Sequence, residues 1–128
     1  MIVSNPPFFV DSLKSESQRR NLARHSDSLP FGELVHSVTS LLNKDGKFVI
    51  ILPVNESNLF SEIAFNFGLY CNKKTNILPK RVINCNRIIS EYQLFKSTFE
   101  SSSIVLRNND DTYTKEYIEL TRDFYINF

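Results

Sequence analysis

The chain has 128 residues, of which 41% are hydrophobic and 23% charged, and its formal net charge is +1. This composition excludes a disordered chain and indicates one globular unit over residues 1–128, while a charge so near zero neither favours nor excludes nucleic acid. No apolar run is long enough to span a membrane, and the two cysteines, Cys71 and Cys85, have no metal-ligand spacing. We therefore expect a cytoplasmic protein that does not contact membranes and has no metal site.

The chain begins with a short apolar run from Met1 to Ser4, which predicts a buried parallel strand. Asn5-Pro6-Pro7-Phe8 follows at once. The next stretch, Phe9 to Ser28, is polar and long for a connection in a compact domain. Because ligands of open α/β sheets bind where strands end, this pattern predicts a functional loop.

Helical and strand patterns then alternate. Apolar residues at helical spacing follow Pro30, and Asp45-Gly46 predicts a left-handed turn that ends this helix. The expected buried positions of the first helix are Phe31, Leu34, Val35, Val38, Leu41 and Leu42. An apolar strand from Phe48 to Leu52 stops at Pro53. A second helix follows, with Phe67 expected on its buried side and Gly68 as its end.

The last part of the chain reads mainly as strands. The predicted strands are Leu69–Cys71, which Ile77-Leu78 extends or follows, Arg87–Phe95 and Ile104–Leu106. The stretch Ser97–Ser103 is polar. Thr114 is expected to cap a final helix. This order predicts a parallel sheet with right-handed crossovers, followed by an antiparallel addition at one edge.

Asn5 and Pro6 offer two hydrogen-bond acceptors at the end of the first strand, the Asn5 side-chain oxygen and the Pro6 carbonyl oxygen. Two acceptors can bind both hydrogens of an exocyclic amine and turn its lone pair toward a methyl donor. Pro6 and Pro7 stiffen the turn, and Phe8 can stack on a flat base, which contributes about 1–3 kcal/mol. The alternative is an ordinary strand-ending turn, in which Asn and Pro are common.

The motif and its surroundings resemble one family over nearly the whole chain. The matching segments are Ser4–Phe9, Arg19–Arg20, Ala23-Arg24-His25, Leu29 to Leu42, Asp45-Gly46, Leu52-Pro53 and Tyr113–Tyr125. They are similar to the bacterial tRNA1(Val) adenine N6-methyltransferases, which carry an NPPF-type motif and transfer a methyl group from S-adenosylmethionine to the adenine 3′ of the anticodon. The resemblance thus implies a class I, Rossmann-like α/β methyltransferase fold, and tRNA as partner.

By position, the resemblance makes Asn5, Pro6, Pro7 and Phe8 the catalytic residues, with Asn5 also beside the cofactor. Further along, Phe9 is expected to shape the base pocket. The basic group that follows is expected to contact tRNA phosphates or, alternatively, to be a solvated loop. Its members are Arg19, Arg20, Arg24 and His25. A second basic stretch, Lys73, Lys74, Lys80 and Arg81, is interpreted as the solvated surface of a loop.

The resemblance also implies that half of the domain is absent. A complete domain of this kind orders its strands 3-2-1-4-5-7-6, and this chain corresponds to the C-terminal part, 4-5-7-6, with flanking helices. None of its three glycines lies in the acidic-Gly-x-Gly loop that holds the cofactor. We therefore expect weak or no binding of S-adenosylmethionine, no activity of this chain alone, and a first strand exposed to pairing or self-association.

Three alternatives remain open at this point. The same motif occurs in ribosomal RNA guanine-N2 methyltransferases and in release-factor glutamine methyltransferases. The third alternative is a non-catalytic remnant that binds RNA.

Overall fold

The structure, a computed structural model, describes residues 1–6 and 28–125, and for residues 28–30 only the helical backbone. Five strands and three helices lie in these ranges. They are β1 (Ile2–Ser4), α1 (Ser28–Leu41), β2 (Phe48–Pro53), α2 (Val54–Asn66), β3 (Tyr70–Lys80), β4 (Arg87–Gln93), β5 (Glu100–Arg107) and α3 (Lys115–Thr121). No helix in the described part of the chain is long and apolar enough to cross a membrane.

Strand β2 forms the centre of the core. Its residues alternate between buried and half-buried, so that Phe48, Ile50 and Leu52 point to one face of the sheet. Helices α1 and α2 cover that face with Val35, Val38, Phe60 and Ala64, as the apolar spacing of both segments predicts. Fully burying a side chain of this size contributes about 1.5–3 kcal/mol, so this layer supplies much of the stability.

The five strands form one sheet in the order β1-β2-β4-β3-β5. Strands β1 and β2 are parallel, whereas β4 is antiparallel to both β2 and β3. The first four positions match the implied order 4-5-7-6, and β5 extends the sheet beyond them. The later strands do add together on one side of the β1–β2 pair, and β4 is antiparallel as expected, but β3 and the edge strand β5 run parallel to β2. Ile88 and Tyr92 explain the inner position, since these apolar residues of β4 are buried there.

Strands β3 and β5 are longer than their sequences predict. β3 runs over eleven residues, and it includes Lys73 and Lys74, which the sequence had placed in a loop. β5 begins at Glu100, inside the polar stretch Ser97–Ser103 and before the predicted strand Ile104–Leu106. Backbone pairing along Lys73–Lys80 joins the two strands and needs no apolar alternation.

The helix ends confirm some expectations and correct others. Gly68 ends α2 with a φ of +73°, as predicted, but no positive φ occurs at Gly46. A Cβ atom on Gly46 would lie 2.8 Å from the Asn43 carbonyl oxygen, so close approach, and not a left-handed turn, requires the glycine. Leu41 and Phe67 are exposed, contrary to prediction, because each lies at the end of its helix.

Candidate active site

The Asn5-Pro6 corner lies directly after β1, at the carboxyl end of that strand. β1 pairs with β2 in parallel register, with Ser4 opposite Ile50, and the Ile2 backbone N–H donates to the Lys47 carbonyl oxygen at 2.9 Å. Ile2 also packs against the core. The corner is therefore attached to the best-packed part of the sheet, although β1 has only three residues.

The side chain of Asn5 is exposed and Pro6 is half-buried. Exposure leaves the Asn5 carboxamide accessible to a ligand, and the proline ring fixes φ at the residue that carries the second acceptor. The structure thus places an exposed Asn5, followed by Pro6, at the carboxyl end of a parallel strand, where ligands of open α/β sheets bind. The other predicted residues lie outside the described residues: Pro7, Phe8, Phe9, Arg19, Arg20, Arg24 and His25.

Four strands direct their carboxyl ends toward the edge of the sheet that carries Asn5. β1, β2, β3 and β5 share one direction, and the antiparallel β4 begins at this edge with Arg87. The connection between β3 and β4, which includes Arg81, therefore lies at the edge of Asn5. The second basic stretch is thus divided, because Lys73 and Lys74 lie near the amino end of β3 whereas Lys80 and Arg81 lie at its carboxyl end.

An arginine–tyrosine stack at the end of β5 is a further feature of this edge. The guanidinium of Arg107 lies 4.2 Å from the centroid of the Tyr113 ring, and its Nη2 donates to the Tyr113 hydroxyl at 2.9 Å. Sequence reasoning missed this pair, because only the short return from β5 to α3 brings the two residues together. An isolated antiparallel β-bridge between Arg107 and Tyr113 forms where the chain returns.

The shifted pKa values in the described part of the chain belong mainly to structural groups. Burial raises the pKa of Tyr92, whose hydroxyl lies 2.8 Å from the Ser61 hydroxyl, and burial likewise raises the pKa of the Cys71 thiol. Hydrogen bonds donated by Thr112 lower the pKa of the exposed Asp110 carboxyl. Tyr92 and Cys71 are packed near the amino end of β3, at the edge of the sheet opposite Asn5. Neither of these two groups therefore supplies an acid or base at the corner.

The residues at the corner fit the amine-holding part of a methyl-transfer site better than the donor-holding part. A sulfonium nucleotide is usually approached by the backbone of a glycine-rich loop after a strand. Here Gly32 lies inside α1, Gly46 precedes β2 and Gly68 precedes β3. No glycine of the chain follows the carboxyl end of a described strand, so S-adenosylmethionine is not assigned a binding loop in this chain.

Known proteins similar to the chain carry methyltransferase names. It is 36% identical over 125 residues to the tRNA1(Val) (adenine(37)-N6)-methyltransferase of Bacteroides fragilis, with 98% of the chain and 53% of that protein covered. The proteins of the same name from Trichodesmium erythraeum and Flavobacterium psychrophilum are 35% and 36% identical, and the match covers 54% of each. The chain thus spans about half the length of the curated relatives it matches. No protein-family model matches it.

A solved structure supports the fold independently of these relatives. The crystal structure of a predicted O-methyltransferase from Agrobacterium tumefaciens matches 94% of this chain and 49% of its own with a TM-score of 0.62. At 12% sequence identity this likeness shows the fold alone. The sheet order and the fold neighbour together confirm a partial Rossmann-like methyltransferase fold. Over nearly its whole length, this chain is similar to bacterial proteins named tRNA1(Val) (adenine(37)-N6)-methyltransferase, and it spans about half of those proteins.

Proposed function

We propose that this chain supplies the target-amine side of a tRNA adenine N6-methyltransferase that uses S-adenosylmethionine in the cytoplasm. The observation that carries the proposal is the exposed Asn5, followed by Pro6, at the carboxyl end of a parallel strand. Relatives named for this reaction and the methyltransferase fold support it. Activity requires a complete domain, because this chain offers no glycine-rich loop for the donor.

In the proposed reaction the corner orients the adenine amine. The Asn5 side-chain oxygen and the Pro6 carbonyl oxygen accept hydrogen bonds from the two N6 hydrogens. S-adenosylmethionine, when bound, supplies the methyl group. Adenine N6 gains that group, the donor's sulfur becomes a neutral thioether, and one amine proton leaves to water. A carboxamide is not a base, so the contribution of Asn5 is alignment and polarisation of the amine.

Alignment is the larger part of that contribution. Each neutral hydrogen bond contributes only about 1 kcal/mol net, whereas favourable orientation of the reactants contributes roughly 7–11 kcal/mol to lowering the barrier. The proposal extends by sequence to Pro7, which stiffens the corner, and to Phe8 and Phe9, which stack on and enclose the base. Arg19, Arg20, Arg24 and His25 are proposed as contacts to tRNA phosphates.

The test replaces Asn5 in a complete methyltransferase made by joining this chain to the amino-terminal half of the Bacteroides fragilis relative. We expect Asn5→Ala to lower N6-methyladenosine formation in tRNA by about 100-fold or more, as the loss of one preorganised polar group at a reacting centre does. Binding of tRNA should change less than twofold, since the corner makes only a small part of the contact. Product is measured by mass spectrometry of digested tRNA.

Asn66→Ala is the matched control, because Asn66 is an exposed asparagine at the far end of α2. It should retain full activity. Retained activity in Asn5→Ala would remove Asn5 from the mechanism. Methylation of a release-factor peptide or of ribosomal RNA guanine by the active fusion, with tRNA unmodified, would favour the related reactions over this one.

A further inference from the structure

The strands end at different levels along the carboxyl edge of the sheet. β3 and β5 extend further than β1, and they form a tall side next to the Asn5-Pro6 corner. β1 ends with Ser4 at the level of Ile50, whereas β3 continues three residues past its pairing with Arg87 and ends at Lys80. With a rise of about 3.3 Å per residue, Lys80 lies on the order of 15 Å beyond the level of Asn5. Three strand spacings of about 4.8 Å separate β1 from β3, so the lateral distance is roughly 14 Å.

We call this tall side the basic wall and define it as residues 76–87 and 104–113, the carboxyl halves of β3 and β5 with the connections that follow them. Lys80 pairs with Arg107 across the two strands, which joins both parts of the wall. A base that reaches Asn5 from a folded RNA brings its phosphate backbone to this edge, next to the wall.

The basic wall carries more positive than negative charge. Its four basic residues are Lys80, Arg81, Arg87 and Arg107, and its two acidic residues are Asp110 and Asp111. Lys80 Nζ lies 2.8 Å from Asp111 Oδ1, and Arg107 Nη1 donates to the Asp111 carbonyl oxygen. Asp111 is therefore already used within the wall, and the wall as a whole carries two more basic than acidic residues, four against two.

Arg81 is an accessible cation of the wall. It is exposed at the start of the connection 81–86, and no hydrogen bond or ion pair joins it to another described residue. In the same connection Val82 is 83% exposed. An arginine and an apolar side chain side by side at an exposed tip can contact a phosphate and the face of a sugar or base together.

Arg107 is held in place by its surroundings. It stacks on Tyr113, and the Tyr113 ring lies 5.3 Å from the ring of Tyr117. A guanidinium fixed in this way loses little conformational entropy on binding a phosphate. The wall thus combines the exposed Arg81, just after the end of β3, with an ordered arginine–tyrosine stack at the end of β5.

We propose that the basic wall, through Arg81, Arg87 and Arg107, binds phosphates of the tRNA anticodon stem–loop whose adenine enters the Asn5-Pro6 corner. The proposal rests on the proposed function, and it names the surface that holds the substrate. Arginine suits this role because its fork of donors matches a phosphate and remains charged at every working pH.

The test measures binding of a fluorescent anticodon stem–loop RNA to the 128-residue chain by anisotropy at several salt concentrations. The variant is Arg81→Gln with Arg87→Gln, which leaves the Arg107–Tyr113 stack intact. We expect the affinity to fall about tenfold or more, as removal of charge-assisted hydrogen bonds does. The slope of log affinity against log salt should become shallower by about 0.7 for each phosphate that the variant no longer binds.

The matched control is Lys44→Gln with Lys96→Gln, which removes the same charge from exposed positions at the opposite edge of the sheet. Circular dichroism and thermal melting establish that both variants are folded. An equal loss of affinity in the two variants would show unspecific attraction and overturn the proposal. Unchanged affinity of the arginine variant, or no RNA binding by the unsubstituted chain, would also overturn it.

Methyl transfer by the fusion protein distinguishes this proposal from the proposed function. The arginine variant should need more tRNA and reach nearly full turnover at saturation, whereas Asn5→Ala should bind tRNA normally and fail to turn over. If the arginine variant loses RNA binding while the unsubstituted fusion never methylates tRNA, the basic wall stands and the proposed function fails. If the fusion is active and the arginine variant binds RNA as well as the unsubstituted chain, the proposal for the basic wall fails and the proposed function stands.

Discussion

Tyr92 is the residue that connects most of the core. It is fully buried, its ring packs edge-on against Phe60 at 5.3 Å, and Phe48 lies 6.2 Å away. Its hydroxyl lies 2.8 Å from that of Ser61, which joins β4 to α2. The sequence does not single out Tyr92 as a core residue, because the polar but buried Ser90 interrupts the apolar face of β4. The Ser90 hydroxyl lies 3.3 Å from that of the buried Ser57, so both serines have a polar partner in the core.

Tyr92→Phe tests how much the buried hydroxyl stabilises the fold. We expect the free energy of unfolding to fall by about 1 kcal/mol, the net value of one hydrogen bond, because Ser61 retains its bond to the Ser57 carbonyl oxygen. Tyr92→Ala should cost about 3–5 kcal/mol, since it leaves a cavity. Urea unfolding of the chain gives both values. Tyr125→Phe, at a half-exposed tyrosine, is the control and should stay within about 0.5 kcal/mol.

Tyr92→Phe should also change how the stability of the chain depends on alkaline pH. Because burial raises the folded-state pKa of Tyr92 above its ordinary value of 10.0, the unfolded state loses its proton first as pH rises. The stabilisation is therefore complete below pH 10 and is lost progressively above it, with a slope of at most about 1.4 kcal/mol per pH unit. Tyr92→Phe should show a shallower loss than the unsubstituted chain. If the free energy of unfolding fell equally steeply with pH in both proteins, Cys71, whose pKa burial also raises, would dominate the effect.

At the scale of elements, we expect alanine to have opposite effects on stability at Gly46 and at Gly32. Gly46→Ala places a Cβ 2.8 Å from the Asn43 carbonyl oxygen, so we expect a loss of about 1–3 kcal/mol. Gly32 lies in α1 with no atom within 4 Å of its Cβ position, and Gly32→Ala should stabilise the chain by up to about 1 kcal/mol. In urea unfolding, the midpoint of Gly46→Ala should lie below that of the unsubstituted chain, and the midpoint of Gly32→Ala should lie above it. An unchanged or higher midpoint for Gly46→Ala would contradict the close-approach explanation.

The strands that the sequence predicts well are those with a clear apolar face. The continuous apolar run Phe48–Leu52 identifies β2, and the loose alternation over Arg87–Phe95 identifies β4. The length of β5 could not be predicted in the same way. Its first four residues, Glu100–Ser103, are exposed at the edge of the sheet, and their pairing with β3 is made by the backbone, with a Thr75–Ser102 hydroxyl contact of 2.9 Å.

At the scale of the whole molecule, the sheet order was predicted by resemblance and not by pattern. Nothing in the residues of β4 says that it lies between β2 and β3, whereas the order 4-5-7-6 implied by the family does. The height of the basic wall was predictable from neither source, because it depends on the register of β3 with β4 and β5. Asn5 and Pro6 lie where the motif predicts, while the remaining motif residues lie outside the described residues and stay predictions.

One edge of the molecule ends in β1, and this edge defines the last prediction. Val3 pairs with Val49 on one side and is 66% exposed, and among the described strands β1 has no second neighbour, so its outer side can pair with a further strand. A complete domain of the implied order places the cofactor-binding strands beyond it. We therefore expect no binding of S-adenosylmethionine to this chain at micromolar affinity, which would require about −8 kcal/mol from an edge without a glycine-rich loop.

Isothermal titration calorimetry of the 128-residue chain and of the fusion with the relative's amino-terminal half tests this prediction. The fusion should bind S-adenosylmethionine, and the chain alone should show no saturable heat. Asn5→Ala in the fusion should weaken donor binding only slightly, because the corner contacts the amine more than the donor. Micromolar binding by the chain alone would contradict the assignment of the donor to the other half, since the exposed edge of β1 would then be sufficient to hold it.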